Sequence, residues 1–305
     1  MVTPPTASPE LFDKPLRSKR FSRIRDTFPQ HDFLFRWCEK ETLDSLSLIK
    51  RHFETVLVLG AERLSQDFLT QLQTQTQAQH IALLSHAPSI DHSHSGNHIH
   101  ICGDEEYLPF RAQSIDLIIG VLGFHSLNDL PGALIQMRRA LKPDGLLIGS
   151  LFGGETLFEL RECLVEAELK IKNGIAPRIY PFATKQDIGA LMQRTGYALP
   201  VIDSDSLSVS YNDIYALMHD LRGMGEGNAL HARPKHFTSR RIFDLAAQLY
   251  KQKYPDAQDH ARISAQFEII FLHGWSPHDT QQKPKPRGSA THSLASVLGG
   301  EETKL

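Results

Sequence analysis

Cysteine is scarce in this chain of 305 residues. Cys38, Cys102 and Cys163 are odd in number and widely spaced, which argues against a disulfide framework and for a reducing compartment. A charge excess is also lacking. Lys and Arg number 33 against 35 Asp and Glu, a formal net charge of -2. No global field therefore draws the chain to nucleic acid or to an anionic membrane. The longest apolar run, Leu117 to Phe124, is far too short to span a bilayer. Residues Met1 to Pro9 show neither an apolar h-region nor an arginine-rich amphipathic pattern, so no targeting signal is read there. A Walker loop, a Gly-x-Gly-x-x-Gly fingerprint, a Cys-x-x-Cys pair and a Ser-His-Asp order are all missing, as is any internal repeat. What is present is ordinary globular composition, 41% hydrophobic and 22% charged. The expectation is a cytoplasmic protein with no transmembrane segment and no nucleic-acid partner.

Charge is distributed unevenly all the same. Lys14, Arg17, Lys19, Arg20, Arg23 and Arg25 cluster near the start, with Leu16, Phe21, Ile24 and Phe28 interleaved at helical spacing. This is either a surface helix docking its apolar side on the body, or a basic lid that helps hold an anionic or protein substrate. Phe33 to Phe53 reads as a second helix, so residues 1–54 form a basic helical segment. Strands and helices then alternate. Thr55–Leu59, Ile81–Leu84, Ile99–Cys102, Ile115–Leu122 and Leu146–Phe152 are short apolar runs suited to buried parallel strands. Leu130, Leu134, Met137 and Leu141 share one helical face; Asn128 or Asp129 caps that helix, and Pro131 falls in its first turn. Pro143-Asp144-Gly145 is a turn.

Gly154–Lys172 and Lys185–Arg194 read as helices, and Leu199–Ile202, extended toward Val209, as the sixth strand. Asn212–Leu221 and Ser239–Tyr254 form a helical insertion within 212–255. Ile263–Trp275 is the antiparallel edge partner. The predicted fold is α/β: a doubly wound, seven-stranded, mostly parallel, Rossmann-like sheet with one antiparallel edge strand, spanning 55–276. Residues 277–305 are a tail rich in Pro, Gln, Ser and Gly.

A nucleotide-type ligand in such a sheet binds outside the carboxyl ends of the strands, near the switch between the first and fourth. Leu59–Leu64, Gly103–Glu106 and Gly123–Asn128 are the loops placed there. His125, at the end of a buried strand, either positions a substrate or moves a proton, or bonds the neighbouring backbone. Gly153-Gly154 either lets a substrate approach helical N–H groups or makes a tight turn. Gly223–Gly227 follows a helix and reads as a glycine-rich C-cap. Asp104 and Glu105 are ligand groups or a solvated acidic loop.

Asp104-Glu105-Glu106-Tyr107-Leu108-Pro109-Phe110, Ser114-Ile115-Asp116-Leu117 and Leu141-Lys142-Pro143-Asp144-Gly145 resemble the class I S-adenosylmethionine-dependent methyltransferase superfamily. More closely, the chain resembles the respiratory complex I assembly factor 5 family with its bacterial relatives. That resemblance is carried by Phe12-Asp13-Lys14, Phe152-Gly153-Gly154-Glu155-Thr156-Leu157, Asp220-Leu221-Arg222-Gly223-Met224-Gly225, Gln281-Gln282-Lys283-Pro284 and Gly288-Ser289-Ala290. It implies an S-adenosylmethionine site contacted by Gly60, Ala61, Asp104, Glu105 and Leu122. It also implies a reaction centre lined by His125 and Asn128, and a protein substrate, a complex I subunit modified on an arginine by hydroxylation or methylation. Small-molecule methyl transfer and a non-catalytic assembly scaffold are the alternatives.

Several positions depart from that pattern. Val58 stands at the usual acidic position, and Glu62 and Leu64 stand where glycines would let the backbone approach a cofactor. Leu84-Ser85-His86 offers no acid for ribose hydroxyls, and Ser126 replaces the tryptophan that follows the family's histidine. His92, His94, His98, His100 and Cys102 alternate as metal ligands on a strand would. They lie, however, in a polar stretch of biased composition without matching carboxylates, and no metal site is assigned there.

Overall fold

The computed structural model describes residues 10–86, 98–282 and 289. Two helices, α1 (Lys14–Ile24) and α2 (Phe33–Ser47), precede the sheet. The first half is β1 (Thr55–Leu59), α3 (Gln66–Thr76), β2 (His80–Ser85), β3 (His98–Cys102), β4 (Ile115–Gly120), α4 (Leu130–Ala140) and β5 (Leu141–Phe152). The second half is α5 (Phe158–Lys172), α6 (Lys185–Arg194), β6 (Ala198–Tyr211), α7 (Ile214–Gly223), α8 (Arg240–Lys253) and β7 (Ile263–Trp275). The strand order is β3-β2-β1-β4-β5-β7-β6. β7 is antiparallel to both of its neighbours, and the pairings among β1 to β5 are parallel. The one reversed strand is the one expected, Ile263–Trp275, and it sits one position in from the edge, with β6 outside it.

Local chemistry accounts for the helix ends. Asp13, Ser65, Asp129 and Asp213 accept from first-turn N–H groups, and Thr184 with Asp187 forms a capping box. Of the two caps considered for α4, Asp129 serves and Asn128 does not. α5 begins at Phe158 rather than Gly154, because Glu268 holds the preceding turn. Its backbone C=O accepts from Gly153 N at 2.8 Å, and its carboxylate accepts from Glu155 N at 2.9 Å. A Cβ on Gly153 would lie 2.4 Å from Glu268 Oε2, so this glycine serves close packing and its N–H is already taken. The Pro143–Gly145 turn is a bulge inside β5, and its left-handed residue is Asp144 (φ 62°) rather than the glycine. The α2 helix stops at Ser47, before the expected Phe53.

Apolar clusters cover both sheet faces. One joins α2, α3, α5, α7 and α8 to residues such as Val58, Ile119 and Phe267. The other places α4 and α6 on Leu57, Ile118 and Leu272. One packing detail positions the site. Gly120 of β4 pairs with Gly149 of β5, and the Phe124 ring fills the slot that the two glycines leave. A Cβ at Gly149 would meet that ring at 2.2 Å, and one at Gly120 at 2.6 Å. The turn after β4 is thereby fixed to the sheet.

Candidate functional site

With Phe124 locked down, His125 is carried beneath the carboxyl edge and its side chain is fully enclosed (0% exposed). Its ring packs on Phe152 at 4.7 Å and Phe182 at 5.9 Å. Nε2 lies 3.0 Å from Glu226 Oε2, and Nδ1 is buried without a hydrogen-bond partner. Glu226, on the loop after α7, also accepts from Arg63 at 3.2 Å. Arg63 ends the short turn after Gly60 and lies over the Phe21 and Phe35 rings. One carboxylate therefore ties the loop after β1 to the loop after β4.

Burial holds His125 below the ordinary imidazole range, and Arg17 and Arg63 add to that against the pull of Glu226. Burial pushes Glu226 up, but His125, Arg63 and Arg17 outweigh it and leave its carboxyl at about 2. Near neutral pH the arrangement is a carboxylate accepting from Arg63 and from His125 Nε2–H, with a lone pair on His125 Nδ1.

On the β1–β3 side the space is full. Gly60 takes the left-handed conformation (φ 62°), and Glu105 Oε1 lies 3.8 Å from where a Cβ would stand on it. Glu105 pairs with His86 Nε2 at 2.6 Å. Burial opposes the charge on each, and their mutual attraction prevails, lowering the Glu105 carboxyl and raising the His86 imidazole. Asp104 accepts from Lys14 Nζ at 2.7 and 2.9 Å, and Lys14 also contacts the Glu106 carboxylate. Arg17 donates to the carbonyl of Ser126 at 3.1 Å. The Ser126 hydroxyl, in the place of the family's tryptophan, donates to Gly123 O at 2.9 Å.

Asn128 grips the backbone of Phe12, accepting from its N–H at 2.7 Å and donating to its C=O at 3.1 Å. Leu122 is wholly buried, with φ 46° and its N–H on Ser150 Oγ. Ala61 and Leu64 pack on the core. Glu62 lines the small gaps beside Arg17, with one carboxylate oxygen buried and unpartnered. What remains are cavities of ≈ 20 and ≈ 30 Å³, about one water each. The space between Gly60, Asp104 and His125 is thus closed, and a nucleoside cofactor does not fit this arrangement.

Donor atoms of His86, Asp104 and Glu105 lie within 4.8 Å of one another, but these groups are already satisfied by their own pairs and by Lys14. His98, His100 and Cys102 share β3 without joining a ligand group among the described residues. His92 and His94 lie outside the described residues, as do Lys283, Pro284, Gly288 and Ala290.

On the β5–β7 side a cavity of ≈ 400 Å³ opens between the sheet end and α5, α7 and α8. Its walls include Phe152, Phe182, Phe243, Phe267 and Leu160, and among the described residues Glu226 is the one acid lining it. Arg178, also on the wall, is held by Glu168 at 2.6 Å.

The structure brings Gly60, Glu105 and the His125 turn around one small gap and commits Asp104 and Asn128 to the N-terminal segment. Sequence reasoning missed Glu226, Arg63, His86 and Arg17 as partners. The available signal for Glu226 was a lone acid inside a glycine loop, with Gly225 at φ 82°.

Residues 63–149 match the family model described as a methyltransferase domain. The mitochondrial arginine-hydroxylase NDUFAF5 of Mus musculus is 34% identical over 306 residues, covering 97% of this chain and 84% of its own. The protein of the same name from Danio rerio is 42% identical over 197 residues, 65% of this chain, and the match spans 60% of the fish protein's length. A crystal structure of the YcgJ protein of Bacillus subtilis superposes with a TM-score of 0.53 at 15% identity, over 78% of this chain and 99% of that one.

Proposed function

The chain belongs to the family of the arginine hydroxylase NDUFAF5, and from that premise we propose that it modifies an arginine side chain of a protein substrate during respiratory complex I assembly. The observation that carries this reading is the ≈ 400 Å³ chamber, walled by aromatic rings and containing one carboxylate, Glu226. An arginine is an apolar stem ending in a flat cation. Phenylalanine faces attract such a cation, and a buried carboxylate gives it charge-assisted hydrogen bonds. Leu160 and Phe267 would receive the stem, Phe152 and Phe182 the guanidinium face, and Glu226 its N–H groups.

In this reading His125 positions Glu226 through Nε2–H from against the Phe152 and Phe182 rings, and its Nδ1 keeps a lone pair. Asn128 holds the N-terminal segment. Gly60, Ala61, Asp104 and Glu105 form the cleft assigned to S-adenosylmethionine, which when bound is an activated donor for group transfer. That cleft is the filled one, so no step is routed through it. Leu122, being buried, supports the cleft from beneath.

Co-expression of the chain with a candidate complex I subunit, followed by peptide mass spectrometry, tests the proposal. One arginine should gain the mass of an oxygen, or of a methylene for methyl transfer, and Glu226→Gln should lower the modified fraction at least tenfold while remaining folded. An unmodified arginine with the natural enzyme, or full modification with Glu226→Gln, would refute the assignment.

A further inference from the structure

We propose that α1 and a nucleoside cofactor compete for one cleft, so that the arrangement described above is a resting state closed by the chain's own cations. The inference rests on the reading that the cleft at Gly60 and Asp104 is the family's cofactor site. Three observations carry it. Two of the acids after β3 are spent on α1: Lys14 holds both carboxylate oxygens of Asp104 and contacts Glu106. The space over the turn after β4 is spent on α1 as well, with Arg17 on Ser126 O. The residual gaps, lined by Lys14, Arg17, Glu62, His86 and Leu127, measure ≈ 20 and ≈ 30 Å³, far below what a nucleoside occupies.

α1 has 11 residues and one buried side chain, Phe21, with Leu16 and Ile24 packed in part, and a helix that short is marginal without its docking contacts. The Lys14–Asp104 pair is partly exposed, at 22% and 28%, while Glu106, the other carboxylate that Lys14 meets, is 6% exposed. The strand-like start is anchored separately, through Asn128 on the Phe12 backbone and the Phe12–Leu230 bridge. α1 can therefore swing out while the chain before it stays attached. Arg20 adds a linkage: it donates to the carbonyls of Gly227 and Asn228 at 3.2 and 2.7 Å, in the loop that presents Glu226 to the other chamber. Displacing α1 removes that tether, so cofactor entry and the shape of the arginine chamber are coupled.

The test titrates the full-length chain with S-adenosylhomocysteine by calorimetry. Lys14→Ala with Arg17→Ala should bind at least tenfold more tightly than the natural chain, and Lys14→Arg should bind like the natural chain. Circular dichroism melts establish that each is folded. In the natural chain, saturating ligand should speed tryptic cleavage after Lys19, Arg20 and Arg23. Equal or weaker binding by the double variant, or protection of those bonds by ligand, would mean that α1 completes the site rather than competes for it. Absence of binding by every form would equally overturn the competition. Either failure is distinguishable from failure of the arginine reading, which is scored independently on the mass of the partner's peptide.

Discussion

Where β1, β2 and β3 end, the carboxyl edge is packed with charge: Lys14, Asp104, Glu105, Glu106, His86 and Arg17 leave room for little more than water. Where β5 and β7 meet α5, α7 and α8, the same edge encloses ≈ 400 Å³ of largely apolar space. The two regions share one wall, the Arg63–Glu226–His125 set. The contrast has a physical source. The charged side is closed by a segment from outside the alternating fold, and its partners are ionic and polar. The apolar side is bounded by helices and strands of the fold itself, whose rings cannot collapse inward without losing their own packing. A cleft closed by ion pairs stands beside an apolar chamber.

Breaking the shared wall should have the largest effect. Glu226→Ala leaves Arg63 buried without its carboxylate, and removal of one partner of a buried pair costs about 3–5 kcal/mol. Urea denaturation reads this directly, and a loss under about 1 kcal/mol would mean that the wall is not shared. A smaller effect isolates the filled side. Asn128→Ala removes two hydrogen bonds to the Phe12 backbone, a loss of about 1–2 kcal/mol. It should raise amide exchange along α1 and leave α5 and α8 unchanged.

Acid gives the most selective test. His125 is held below its ordinary range, so its stabilisation fades as pH falls through the imidazole range. His86 is held above its own, so its stabilisation grows over the same interval. The two contributions therefore oppose each other between neutrality and mild acid. Glu226, at about 2 instead of 4.5, contributes stability above its ordinary value that is lost as pH falls toward the lower one. Glu105 acts with the same sign. Stability should drop below pH 4.5, less steeply in Glu226→Gln, while the apolar chamber, with no other acid on its lining, stays intact.

The sheet was legible because its strands are short apolar runs whose β-branched residues and flanking glycines leave few other placements, as at Thr55–Leu59 and Ile115–Gly120. The position of β7 inside β6 was harder. Mixed alternation marks a strand that is not uniformly buried, yet it does not say which neighbour lies outside. The basic cluster at Lys14–Arg25 was legible as a possible lid. Its target was not, because Lys14 meets Asp104 across 90 positions of sequence. Glu226 escaped for the same reason, since glycines on either side of an acid describe a turn locally and reveal nothing of the histidine opposite. The resemblance to methyltransferases pointed to Gly60 and Asp104, but a motif does not report what else has moved into the space between its residues.

Arg63 and Glu226 are separated by 163 positions, and Phe12 bridges to Leu230. A nascent chain therefore has its β1 loop and its imidazole long before the acid that satisfies them has been synthesised. Because such distant closures carry a high entropic cost early in folding, neither compartment exists in a half-made protein. Phe12 and Arg63 wait for the last third of the chain before they meet Leu230 and Glu226.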